Sequence, residues 1–280
     1  MAAVLLALAA SASWGVSDFL GGLTSRRLSL PTVMAITTPL GLVAIGIVVA
    51  VHGEPPPPAS FVAWGAVAGV LGAIGIASLY HGLSVGRMGV VAPISATAPL
   101  IPIAVGLARG DRPSGAQGVG IAFALVGMVL TSRERDTGSG RSRVAAGAIF
   151  GLIAAAAFGF SLVALDEAAA SDPYWATLVL RAASSVAVLA VVLAVRLPVR
   201  APRTFWPTLA VVAVLDVGGT VLFSVSTTKG LISIVAAVIA FVPVFVALLA
   251  RAFLHEHLAR IQIAGAAIAI AGVALISAGG

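Results

Sequence analysis

The sequence predicts an all-α integral membrane protein, with ten transmembrane helices arranged as two inverted-topology five-helix repeats. Three observations carry this prediction: a composition too apolar for water, ten apolar runs of bilayer length, and an internal repeat of constant offset. Of 280 residues, 60% are hydrophobic and only 9% charged, with a mean hydropathy of +1.13. A soluble domain is about 25% charged. In hydrocarbon the backbone must satisfy its own hydrogen bonds, which leaves helices or a closed barrel. The apolar runs are about twenty residues long and do not alternate, so they read as helices.

Taken in order, the spans are 2–22, 31–51, 60–83, 90–108, 115–132, 145–165, 174–195, 205–227, 231–253 and 261–278. Short connections with turn chemistry separate them. Examples are Ser25-Arg26-Arg27, the proline run Pro55 to Pro58, Arg109-Gly110-Asp111-Arg112-Pro113 and Ser171-Asp172-Pro173. The first span has some look of a signal peptide, with Ser11-Ala12-Ser13 as a small-residue site. It lacks a preceding Lys or Arg, and the repeat requires it as a working helix.

The repeat is read from matched landmarks. Asp111, Gln117, Gly120 and Gly127 correspond to Glu256, Gln262, Gly265 and Gly272 at an offset of 145 (256−111 through 272−127). Trp14-Gly15 corresponds to Phe158-Gly159, and Pro99 to Pro243, at 144 (158−14, 243−99). These matches divide the chain into a first repeat 1–132, a linker 133–143 and a second repeat 144–280. Five spans per half is odd, so the second half enters from the opposite side. Charge is an independent test. Twelve of the 16 basic residues fall in alternate loops, and Arg109, Arg112 and Lys229 fall in the other set. By the positive-inside rule the rich side is cytoplasmic and both termini face outward. The net charge of +6 is thereby explained by headgroups and topology, not by nucleic acid. Cysteine is absent, which removes disulfides and thiol chemistry and fits a bacterial inner membrane.

Inverted repeats are the architecture of secondary transporters, with substrate near the midplane between halves. Ionisable groups within spans are expensive and point to function. Arg181 lies about 10 Å into the seventh span and Asp216 about 16 Å into the eighth, from opposite faces, so they share a level. Two readings stand open: a charged pair that grips substrate or exchanges partners in gating, or a fixed salt bridge between the two spans. Ser11, Trp14 and Asp18 share one face of the first helix. Asp18 lies near the cytoplasmic end, as do Tyr80 and His81 of the third span. Asp and His facing one cavity would carry a proton; polar solvation of helix ends is the plainer account, and the one favoured for His81. Pro99 and Pro102 in the fourth span and Pro243 in the ninth interrupt matching helices, a pointer to a binding site. Ser95, Thr97 and Ser233 lie nearby as hydroxyl donors. Gly65-xxx-Gly69 and Gly147-xxx-Gly151 are close-approach signals, read as intramolecular packing. His255-Glu256-His257 lacks the spacing that puts two His on one helical face, so it reads as a turn and no metal is expected.

These residues also carry a family resemblance. Lys229-Gly230-Leu231-Ile232-Ser233, Pro243, His255-Glu256, Gln262, Gly265 and Gly272 resemble the second repeat of the EamA-type drug/metabolite transporters. Gly86-Arg87-Met88-Gly89, Pro93, Pro99, Gly110-Asp111-Arg112-Pro113, Gln117, Gly120 and Gly127 resemble the first, and Trp14-Gly15 the family's aromatic–glycine pair. Departures are Asp111 where Glu is common, and His257 where a basic or small residue often follows. The resemblance implies a ten-helix carrier for a small metabolite or drug-like solute, and favours export. Expected substrate-binding residues are Trp14, Asp18, Tyr80, Pro99, Phe158, Arg181, Asp216 and Pro243. Expected partners are a small-molecule substrate, the bilayer lipids and protons; no cofactor and no nucleic acid are expected. Two further classes compete: an integral membrane enzyme acting on lipid-linked substrates, and a non-transporting sensor or assembly protein. The polar groups are too scattered for the first, and the second predicts no cavity between the halves.

Overall fold

The computed structural model describes residues 1–85, 88–132, 141–254 and 259–279, and every regular element among them is helical. Three helices, α1 (Ala2–Ser25), α2 (Leu30–His52) and α3 (Ala59–Val85), open the first half. The fourth span is broken into α4 (Met88–Ser95) and α5 (Leu100–Ala108), and α6 (Gly115–Thr131) closes the half. The second half repeats the plan with α7 (Arg141–Ala169), α8 (Pro173–Ala194) and α9 (Trp206–Thr227). Its broken span is α10 (Ile232–Ile239) followed by α11 (Val242–Leu254), and α12 (Arg260–Ala278) is last. Nine spans are long and apolar enough to cross a membrane, and α6 is a shorter apolar helix, among the described residues.

The helix ends explain several of the repeat landmarks. Ser114 and Gln117 form a capping box at the start of α6: the Ser114 amide donates to Gln117 Oε1 (2.8 Å), and the Gln117 amide donates to Ser114 Oγ (3.3 Å). At the start of α12 the Ala259 amide donates to Gln262 Oε1 (2.9 Å), so the second half keeps the same glutamine. Each interaction satisfies an amide that would otherwise lack a partner at a helix start. Asp172 caps α8 through the amides of Tyr174 (2.8 Å) and Trp175 (2.7 Å).

The two halves are related by a two-fold axis, visible in the contacts themselves. Helices α6 and α12, the fifth span of each half, cross antiparallel. Gly120 lies against Gly272 and Gly127 against Gly265. A Cβ on Gly120 would sit 2.6 Å from the Gly272 carbonyl oxygen, and one on Gly272 would sit 2.7 Å from the Gly120 carbonyl oxygen. Equivalent helices that meet antiparallel are what inversion of one half requires. Small residues permit the approach, because dispersion and backbone proximity hold helices together in lipid. Gly65 and Gly69 likewise meet Val179, Leu180 and Ala183 of α8, and Gly151 meets Ile94 of α4, all within the chain.

Packing is uneven along the membrane normal. The largest buried cluster comes from the start of α1 (Ala3, Val4, Ala7, Ala10), the end of α7 (Leu165, Ala168, Ala169), Phe223 of α9 and Ile234 to Ile239 of α10. Ile103 and Ile121 extend it into α5 and α6. These segments lie mostly toward the bundle end away from the arginine-rich loops. Every residue of α10 is buried. Toward the arginine-rich end the buried clusters are small, such as Leu28, Val33 and Leu209.

Candidate functional site

Where the dry cluster stops, the polar groups of α1, α8 and α9 meet. Arg181 of α8 is buried to 7% exposure. Its Nη1 lies 2.6 Å from Asp216 Oδ2 of α9, and Nη2 donates to Thr220 Oγ1 at 3.0 Å. Thr220 Oγ1 in turn donates to the Asp216 carbonyl at 2.8 Å, so one turn of α9 holds both partners. Gly41 of α2 packs closely on Val217 of α9, whose Cγ2 would stand 2.9 Å from an added Cβ, with Arg181 Cδ at contact distance beside it. The pair is asymmetric: the guanidinium side chain is 9% exposed and the carboxylate side chain 37%. The cation is therefore fixed in packing while the anion faces open space.

α1 is fastened to α9 by a run of hydrogen bonds. Ser13 Oγ donates to Leu215 O (2.6 Å), Trp14 Nε1 to Asp216 O (3.2 Å) and Ser17 Oγ to Val212 O (3.0 Å). The Trp14 ring lies over Gly219, with the Phe223 ring 5.9 Å away centroid to centroid. On its other flank α1 meets α11, with Gly15 against Phe245 and the Phe19 ring 6.1 Å from Phe253. Asp18 falls between these two contact stripes. It is exposed to solvent, yet set among protein atoms and close enough to Asp216 for the two carboxylates to interact. Along this face Ser11 is buried, Trp14 half-buried, and Asp18 and Gly22 exposed. Exposure along this face therefore rises toward the arginine-rich end.

The remaining expected residues divide. Phe158 of α7 is the two-fold mate of Trp14 and packs on Gly75 as Trp14 packs on Gly219, both pairs related by 144 (158−14, 219−75). Pro99 and Pro243 flank the breaks in the fourth and ninth spans. There Gly159 lies against Ala98 and Ile101, and Gly15 against Val242 and Phe245. The aromatic–glycine motif thus seats each broken helix. Ser11 is committed to packing, donating to Ala7 O (2.9 Å) and Val238 O (3.1 Å). Ser95 and Thr97 turn their hydroxyls back onto Ala92 and Ile94. His81 stacks edge-on against Phe150 at 4.5 Å. Tyr80 belongs to α3, but its side chain lies outside the described residues, as does the whole of His255-Glu256-His257.

One cluster escaped sequence reasoning. At the end away from the arginine-rich loops, Arg109 Nη1 is 2.5 Å from Glu167 Oε1 and 3.7 Å from Asp166 Oδ2. Nearby, Asp111 Oδ2 accepts the Ser233 amide (3.1 Å) at the start of α10. Both contacts tie the α5–α6 turn of one half to the other half. Asp166, Glu167, Thr227 and Thr228 line a shallow pocket of about 220 Å³ beside them. The signal was present as an Asp-Glu pair just past a span, facing the one loop on that side with two arginines.

Comparison with known proteins agrees with this architecture. No curated protein matches the sequence. Among solved structures 27 chains match. One, described only as a crystal structure of a protein, superposes with a TM-score of 0.78 at 17% identity. The alignment covers 98% of this chain and 95% of that one, a likeness of fold alone. The EamA-like transporter family model matches residues 1–133 and again 145–278, once for each half. With two antiparallel five-helix halves and a family match across both, the chain is a member of the EamA-like transporter family.

Proposed function

We propose that this protein is a secondary active transporter that carries a small solute through the inner membrane by alternating access. The observation that carries the reading is the contrast along the membrane normal. One end is sealed by a dry cluster around α10 and by cross-half polar contacts. The other end opens onto Trp14, Asp18 and Asp216 at mid-depth. Substrate would bind where the crevice ends, between the broken spans that flank Pro99 and Pro243. The halves 1–132 and 144–280 act as the two moving bodies, joined on the cytoplasmic side. With the arginine-rich loops cytoplasmic and both termini outside, the crevice faces the cytoplasm, the state that an exporter loads.

The absence of native cysteine makes the test direct. Single substitutions Gly22→Cys, in the open crevice, and Ser11→Cys, at 0% exposure beneath the seal, are placed in membranes and treated with a membrane-impermeant thiol reagent from each side. Alternating access requires Gly22→Cys to label from the cytoplasmic side and Ser11→Cys to label from the other, when the seal opens. A Ser11→Cys variant that resists reagent from both sides refutes the reading. A disulfide between Ala3→Cys and Gly230→Cys, neighbours across the seal, should abolish outer labelling.

A further inference from the structure

We propose that the crevice selects an organic cation, with Asp18 as its counter-charge and the Trp14 ring as its wall; this rests on the transport reading above. The charge inventory at mid-depth, among the described residues, is Asp18 of α1, Asp216 of α9 and Arg181 of α8. Arg181 is committed: buried, ion-paired to Asp216 and bonded to Thr220. Those two charges neutralise each other. Asp18 is left as the carboxylate with no cationic partner among the described residues. His81 and Arg251 lie nearer the cytoplasmic end, His81 against Phe150 and Arg251 exposed on α11.

A carboxylate held inside a membrane protein without a partner is costly, so its presence needs a reason. The two-fold symmetry shows that packing does not supply one. At the same offset of 144, the mate of Asp18 is Leu162 (162−18), that of Asp216 is Gly72 (216−72) and that of Arg181 is Thr37 (181−37). The symmetric half builds the same helix crossing with no charge. One turn from Asp18 stands the Trp14 ring, held in place by its hydrogen bond to Asp216 O and by Gly219. A fixed aromatic face beside a free carboxylate is the pairing that recognises ammonium and quaternary ammonium groups, through ring quadrupole and charge together. Size and shape of the cargo are set elsewhere; its charge is set here.

The experiment reads the field in the crevice with small probes of opposite charge. Gly22 lies one turn beyond Asp18 on the same face, and a Cβ there meets nothing within 4 Å. In full-length protein carrying Gly22→Cys, rates are measured for the cationic trimethylammonioethyl, the anionic sulfonatoethyl and the uncharged methyl methanethiosulfonates. The cationic-to-anionic ratio, normalised to free cysteine, should exceed one. Adding Asp18→Asn should lower it about tenfold, as expected for a unit charge about 6 Å away in a partly aqueous site. Asp18→Glu should retain the ratio, which separates loss of charge from loss of fold. If the methyl reagent labels but the ratio ignores Asp18→Asn, or favours the anion, the cation assignment is overturned while the transport reading survives. If the methyl reagent fails to label at all, there is no crevice and both readings fall.

Discussion

Trp14 and Phe158 occupy the same place in the two halves, and their surroundings share a scaffold but differ in charge. Each ring packs on a glycine, Gly219 or Gly75. Each is followed by a glycine that seats a broken span. Three residues on, Ser17 donates to Val212 O at 3.0 Å, and Ser161 donates to Ala68 O at 2.7 Å. Those four positions also obey the 144 offset (161−17, 212−68). The charges do not. Asp18, Arg181 and Asp216 cluster around Trp14, while Leu162, Thr37 and Gly72 stand at the mates. The scaffold is built twice and the chemistry once. Residues shared by both halves hold the crossing, and on the proposed reading the residues found in one half act on cargo.

That division predicts which substitutions behave alike in the two halves. The largest effect should come from Asp216→Ala, which strands a buried guanidinium. Removing one partner of a buried pair costs about 3–5 kcal/mol, reduced here because the carboxylate is part-exposed. Thermal unfolding in detergent should show a clear drop for Asp216→Ala and partial recovery in the Arg181→Leu/Asp216→Leu double variant. Recovery indicates a pair dispensable for folding; no recovery indicates a structural bridge.

Next in size are the glycines. Gly219→Ala and Gly75→Ala each press a methyl into an aromatic ring, at 2.6 Å from Trp14 Cδ1 and 2.7 Å from Phe158 Cδ1. Overpacking of this kind costs about 1–3 kcal/mol. The two should lower the unfolding midpoint similarly, and only Gly219→Ala should also slow cationic labelling of Gly22→Cys. Similar losses are expected for Gly120→Ala and its mate Gly265→Ala; a strong inequality would argue against the two-fold. Smaller still, Ser17→Ala and Ser161→Ala each delete one buried hydrogen bond, worth about 0.6 kcal/mol within a membrane protein. Trp14→Phe makes the two rings identical in type. It should leave stability within about 1 kcal/mol of the parent, as for loss of one hydrogen bond, and weaken solute binding.

Much of this was legible in the chain. Span number follows from the length of hydrocarbon a helix must cross, and depth follows from the rise per residue. Arg181 and Asp216 could therefore be set at one level before any contact was known. Direction around each helix is a different matter. In water an apolar stripe marks the buried face, but in lipid the bilayer is as apolar as the partner helix, so α3 and α7 are apolar on all sides and advertise no face. For that reason sequence could name Asp18 among the substrate-binding residues but not say which neighbours its side of the helix would meet. It also missed that Arg109 reaches Glu167 across the halves, and credited Ser95 and Thr97 with hydroxyls that turn back on their own helix.

By itself the sequence determined the solvent, the number of crossings, the repeat and the places where two spans must break, because each depends on composition, length or backbone chemistry local to the chain. Only the tertiary structure decided which end is sealed, which arginine is neutralised and which aspartate is left facing open space. Those outcomes depend on the rotation of one helix against another, which is set by close packing between segments some two hundred residues apart.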